Sequence, residues 1–273
     1  MARRFGAVIS LVLFVAFAWF TSAQADPITT IILSGSDTIS FHDITSEANA
    51  AYLFLSNGGT GNVLVVNNFG ASNPSYGGGG FNHPGVTFAP SLPASLSGLA
   101  GIMFAAPDTC CSDGGGPAVG READLKAFVA GGGNLYDEDY LGTAGGPSHA
   151  ATWAAILGFD GAPHVIADSG CTGDPGKPTA LGTTFGYVGG SFGCYTHQIY
   201  DQSFFTAQGF AALVTGCQDA PGSTVCPPTA LSGTVIMGNG RANPPTMPEP
   251  SSLFLLGIGL VGLSVCALRQ SRK

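Results

Sequence analysis

Charge is what this sequence has least of. Only 10% of its 273 residues are Asp, Glu, Lys or Arg, and only 9 are Lys or Arg. Those few are unevenly placed: Arg3 and Arg4 near one end, Arg269, Arg272 and Lys273 at the other. Between Asp26 and Thr246 there remain Arg121, Lys126, Lys177 and Arg241 against 16 acidic residues, a net charge of −12. A body so charged is repelled by nucleic acid and by anionic membrane surfaces, so neither is expected as a partner. Metal-binding spacings are missing too. There is no C-x-x-C, H-x-x-x-H or H-E-x-x-H, and no Asp-x-Asp-x-Asp-Gly calcium loop. The 42 glycines follow no G-X-Y period, which excludes collagen.

What is present begins with the two ends. Arg3 and Arg4 precede an uncharged run, Phe5 to Phe20, and then Ala23-Gln24-Ala25. A positive start, an apolar stretch and an A-x-A site predict a signal peptide over 1–25. Residues 251–268 carry no charge. At a helical rise of about 1.5 Å per residue they cover about 27 Å, close to the hydrocarbon thickness of a bilayer. Gly257, Gly259 and Gly262 fit a membrane helix better than a soluble one. The basic tail, 269–273, then stays in the cytoplasm by the positive-inside rule, and the body is exported. Residues 241–250 read as a Pro-rich linker, and 26–240 as one exported domain of sufficient length for a sizeable core.

The linker ends in Pro248-Glu249-Pro250, directly before the apolar run and the basic cluster. This order resembles the PEP-CTERM sorting signal, with Met247 where that signal usually has Val. The resemblance implies signal peptidase and an exosortase-type membrane protease as partners. It also implies a transient inner-membrane stage, then delivery to the cell surface or outside the cell. The implied role is structural or adhesive in an envelope containing exopolysaccharide, a further expected partner.

Six cysteines fall in the exported part: Cys110, Cys111, Cys171, Cys194, Cys217 and Cys226. An even number in an oxidising compartment predicts disulfides. Fifteen pairings are open. The short, turn-rich segments favour Cys171–Cys194 and Cys217–Cys226. Adjacent Cys110 and Cys111 each call for a distant partner, because a vicinal bond departs from ordinary disulfide geometry. Cys266 lies inside the apolar run.

Along the body, strands are predicted at 28–33 (extended over 38–41), 63–66, 101–106, 134–140 and 234–237. Helices are predicted at 48–55, with Thr45-Ser46-Glu47 as its start, and at 121–130, 150–157 and 208–214. Two long Gly-rich loops, 70–85 and 108–116, separate the early elements. Strand alternating with helix predicts an α/β domain with a mainly parallel sheet flanked by helices. The stretches LSGLAGIMFAAP, READLKAFVAGGGNLYDEDY and WAAILGF resemble the glutamine-amidotransferase-like, flavodoxin-like fold. Where that family carries its nucleophilic Cys, this chain has Tyr136-Asp137-Glu138-Asp139-Tyr140, so the resemblance implies the fold without the activity.

Two constellations bear on chemistry. Asp137 and Asp139 sit two residues apart at a predicted strand end, where open α/β sheets bind ligands. Alternation places them on one face and Glu138 on the other, so calcium is the one cofactor candidate. Gly189-Gly190-Ser191-Phe192-Gly193 matches the G-x-S-x-G pattern, with His197 and Asp201 following. The acid–base order and the strand–turn–helix setting of a nucleophile elbow are both missing. No catalytic residue is therefore assigned. A surface or periplasmic hydrolase acting on polysaccharide or ester is the rival expectation.

Overall fold

Continuous branched apolar runs such as Ile31-Ile32-Leu33 and Val63-Leu64-Val65-Val66 suit strands covered on both faces, and both runs are buried throughout. The computed structural model describes residues 30–40, 44–66, 81–105, 116–138, 150–162, 164–168, 176–187, 198–217 and 232–239. In chain order these form β1 (Ile31–Ser34), α1 (Thr45–Leu55), β2 (Asn62–Val66), β3 (Val86–Ala89), β4 (Leu99–Phe104), α2 (Glu122–Ala130) and β5 (Asn134–Glu138). There follow α3 (Ala150–Leu157), β6 (Val165–Asp168), β7 (Lys177–Pro178), α4 (Ala180–Phe185), β8 (Gln198–Tyr200), α5 (Gln202–Ala207), β9 (Phe210–Cys217) and β10 (Ser232–Asn239). The expected signal peptide, the sorting signal, the span and the tail lie outside the described residues. So do Ser191, His197, Asp139 and every cysteine except the backbone of Cys217. Among the described residues no helix is long and apolar enough to cross a membrane.

The strands make one mixed sheet in the order β3-β2-β4-β5-β1-β10-β8-β6; β9 pairs with β10, and β7 with β9. From β3 to β1 all pairings are parallel. Beyond β1 all are antiparallel. The expectation of a mainly parallel sheet therefore holds for the first half only. Beyond β1 the sheet is not built from successive strand–helix–strand units: β10, late in the chain, enters beside β1 in the antiparallel sense, and β8 and β9 pair antiparallel with β10.

Within the parallel half, the step from β1 to β2 runs across the sheet in the opposite sense to the step from β4 to β5. With one handedness for both crossovers, α1 and α2 fall on opposite faces. The core divides accordingly. Ile32, Val63, Val65, Met103 and Tyr136 pack under Ala48, Ala51 and Leu55 of α1. Ile31, Leu33, Leu64, Ile102, Phe104 and Leu135 pack under Leu125 of α2 and Trp153 of α3. Alternate residues of each strand thus serve opposite clusters, as the period of two demands. β5 lies between β4 and β1, parallel to both, in the middle of this half.

Several local expectations change. Residues 208–214 are not a helix: α5 ends at Ala207, the chain turns through Gly209, whose φ of 86° only glycine takes readily, and β9 begins at Phe210. A short apolar run cannot be told from a helix by periodicity alone. The expected extension of the first strand over 38–41 is a buried turn at 38–40. Helix α1 starts one turn early, with Ile44 at the capping position and no side-chain cap. α4 was not foreseen, although Thr179 caps it by accepting from Gly182 N–H at 3.0 Å. β3, directly after the Gly-rich loop 70–85, was missed as well.

Candidate functional site

The carboxyl ends of β1 and β5 lie side by side, with Ser34 opposite Glu138 in register. Beyond Ser34 the chain folds back through Gly35, Ser36, Asp37 and Thr38. Ser36, Asp37 and Thr38 are each at most 1% exposed. The turn is held by its own polar groups. Ser36 N–H donates to Ser34 Oγ at 3.1 Å, and Ser34 Oγ–H to the Ser36 carbonyl at 2.9 Å. Gly35 is required by close approach: Gln198 N–H donates to its carbonyl at 3.0 Å, and a Cβ there would strike the Gln198 backbone. On the far side of Gln198, Tyr200 Oη–H reaches Gln198 Oε1 at 2.7 Å.

Glu138 closes this turn from β5. Its Oε1 accepts from Ile39 N–H at 3.0 Å and Ser40 N–H at 3.3 Å, and the carboxyl is fully buried. Burial raises its pKa from 4.5 to about 8. The Ser40 hydroxyl and the two backbone N–H groups pull the pKa down, and neighbouring Asp37 pushes it up. Glu47, on the first turn of α1, is 3% exposed, and burial raises its pKa from 4.5 to about 7 against a hydrogen bond from Thr38. Two phenols complete the group. Tyr187 Oη–H donates to Tyr136 Oη at 3.3 Å, and burial holds both well above the usual phenol range.

Chemically, this is a set of acids kept largely protonated near neutral pH in an apolar setting. Such groups are capable of proton transfer where a substrate reaches them. Here the described residues seal them: Glu138 and Tyr136 have no exposed surface. What the arrangement demonstrably does is tie the turn after β1 to β5 and to the start of α1.

The sequence-predicted residues fare unevenly. Asp137 is fully buried and shares its face with Leu33 and Phe104, its neighbours in register. Glu138 points to the other face, as alternation predicts, and Asp37 lies near it. Asp139 lies outside the described residues. Among the described residues no three His, Cys, Asp or Glu side chains are grouped to hold a metal ion. Asp201 is not placed as a catalytic acid. It is the N-cap of α5, accepting from Ser203 N–H at 2.9 Å, Ser203 Oγ–H at 2.6 Å and Phe204 N–H at 3.2 Å. Those bonds, led by the Ser203 hydroxyl, lower its pKa. A His–Asp pair that sequence reading did not single out joins His164 Nε2 to Asp160 Oδ1 at 2.6 Å. His164 also stacks on Phe204 at 3.3 Å between ring centroids. The D-x-x-x-H spacing was the only available signal.

At the other end of the chain the decision is simpler. Residues 248–270 match the PEP-CTERM protein-sorting motif. The Pro248-Glu249-Pro250 recognition triplet, the apolar run and Arg269 all fall inside the match. The PEP-CTERM motif supports an exported protein that passes through the membrane to an exosortase. No curated protein and no solved structure matches the chain.

Proposed function

We propose that the chain is a structural or adhesive protein of the cell surface or extracellular matrix, with the α/β body as cargo and the PEP-CTERM motif as its address. The observation carrying this reading is the motif at 248–270 joined to a body in which the acids gathered at the carboxyl end of the sheet, Asp37, Glu47, Asp137 and Glu138, are enclosed. A hydrolase needs paired carboxylates or a nucleophile open to substrate. In the body Glu138 and Glu47 are spent on closing a turn, and Asp201 on capping a helix. In this reading the signal peptide directs export, the apolar run stops the chain in the inner membrane, and the protease acts beside Pro248. Prolines there keep the backbone extended, since they disfavour helix in the residue before them and donate no ladder bond. Glu249 supplies the charge that is recognised.

The test is Glu249→Ala in cells with a matching exosortase. The variant is expected to be exported but to accumulate at full length in the inner membrane, while the parent chain loses 251–273 and appears outside. If the parent chain keeps 251–273, the motif is an ordinary anchor and the reading fails.

A further inference from the structure

At the opposite end of the sheet from the carboxylates lies an open groove of about 830 Å³. Its floor is the amino ends of β2, β4 and β5, and its walls are the turn after α1, residues 94–98, and the end of α2. That volume is within the range of ligand sites. We propose that this groove binds a neutral oligosaccharide. The inference deepens the adhesive reading above, and rests on it for biological meaning though not for its chemistry.

The walls are built rather than incidental. Arg121 spans them: its Nε pairs with Asp124 at 2.6 Å, and its terminal nitrogens donate to the Leu92 carbonyl at 3.4 Å and the Pro93 carbonyl at 3.0 Å. The segment leading to Ser95–Gly98 is thereby fixed to α2. Across the groove, Asn134 Nδ2 donates to Asn57 Oδ1 at 2.9 Å and to the Phe54 carbonyl at 2.9 Å. Asn57 takes a left-handed φ of 53° to make this turn. Its Oδ1 is occupied, so its own amide N–H₂ is the group left to present.

The chemistry offered is specific in kind. Asp124 is the single charged residue lining the groove, and no Lys, Arg or His lines it. Asp124 is already paired with Arg121, so the lining offers a phosphate or acidic sugar no unpaired cation. Amides and hydroxyls of Asn57, Thr60, Asn62 and Ser97 supply both donors and acceptors, as sugar hydroxyls require. One flat apolar surface is present: the ring of Phe128, half-buried, lies over Gly133, where any side chain would collide with it. The part of this ring that lines the groove offers a pyranose C–H surface an apolar contact. A peptide would instead seek a strand edge or apolar pockets for side chains, and the floor here is strand ends.

Titration calorimetry on the full chain decides it, in a detergent without a sugar headgroup. The probes are cellohexaose, laminarihexaose, maltohexaose, hexagalacturonate and a Ser/Gly hexapeptide. At least one neutral hexaose should bind at millimolar concentration or below. Ser97→Trp, an exposed site that fills the groove, should weaken binding about tenfold or more, and Asp124→Asn should not create affinity for hexagalacturonate. Unchanged circular dichroism would show that the variants fold. Silence from all three neutral sugars, binding undiminished by Ser97→Trp, or preference for the anionic sugar or the peptide would each overturn the proposal. None of these results touches the fate of the Glu249→Ala chain, so the two failures are separable.

Discussion

Replacing Glu138 by Gln should make the protein more stable at alkaline pH and leave it nearly unchanged at pH 5. The sign follows from linkage. In the folded state Glu138 keeps its proton up to about pH 8, whereas an exposed glutamate releases it at 4.5. Between those values the folded chain binds more protons than the unfolded one, so stability falls as pH rises. A shift from 4.5 to about 8 sets a ceiling of about 5 kcal/mol at about 1.4 kcal/mol per unit. Local opening that lets water reach the carboxylate lowers the cost, so about 3–5 kcal/mol is the expected difference at pH 9. That is a large part of the 5–15 kcal/mol typical of a domain. Gln keeps an Oε1 to accept from Ile39 and Ser40 N–H, so the turn retains its bonds. The assay is urea unfolding of parent and variant at unit steps from pH 5 to 9. Subtracting the two curves removes histidines and every other shared titration. Parallel curves, or a parent that gains on the variant as pH rises, would refute the reasoning.

Glu47→Gln should behave alike but smaller, with the change complete by about pH 7 to 8, because its folded pKa is about 7. Leu125→Ala should cost about 2–5 kcal/mol in urea unfolding, since this side chain has no exposed surface, while Phe128→Ala, half-exposed at the groove, should cost less. Asp201→Ala should cost about 1 kcal/mol, the loss of a helix cap, with no effect on any ester or polysaccharide cleavage. Mass analysis without reductant should find at least four of Cys110, Cys111, Cys171, Cys194, Cys217 and Cys226 oxidised; six free thiols or stoichiometric zinc would reverse that expectation.

Apart from β3, the parallel half was legible because its signals are long and agree with one another. Val63–Val66 and Ile102–Phe104 are unbroken apolar runs, and α2 is stopped by Gly131-Gly132-Gly133. The second half was not, because its helices have only 6 residues and its pairing partners are remote. Nothing local to Phe210–Cys217 announces that it will lie against Ser232–Asn239. The carboxylate cluster was half legible. Alternation correctly sent Asp137 and Glu138 to opposite faces. It did not say which face would bring other acids. Glu47 read as a helix-start residue because acidic side chains favour first turns. Its burial depends on the turn after β1, ten residues earlier in the chain. The groove was illegible for the same reason, being assembled from turns that are distant in sequence.

The pairing of the two chain ends connects fold to address. β10 runs antiparallel to β1, and Asn239 Oδ1 accepts from Thr30 N–H at 2.8 Å and Ile31 N–H at 2.7 Å. The chain therefore leaves the sheet at the amino end of β1. Leu135 N–H donates to the Thr30 carbonyl at 2.8 Å, and Asn134, its neighbour, donates to Asn57 in the groove wall. Exit and groove stand about one strand apart. From Asn239 to Pro248 there are nine residue steps, at most about 32 Å of extended chain. If residues 248–270 are held in a bilayer as proposed, this edge of the sheet would stay within that distance of the lipid. If the chain is cleaved at the motif as proposed, the restraint would go and the groove would be free to meet a large polymer. Sorting would then govern not only where the protein goes but when its amino edge becomes usable, and sugar binding by the full-length, membrane-held Glu249→Ala chain should favour short oligomers over long polymer.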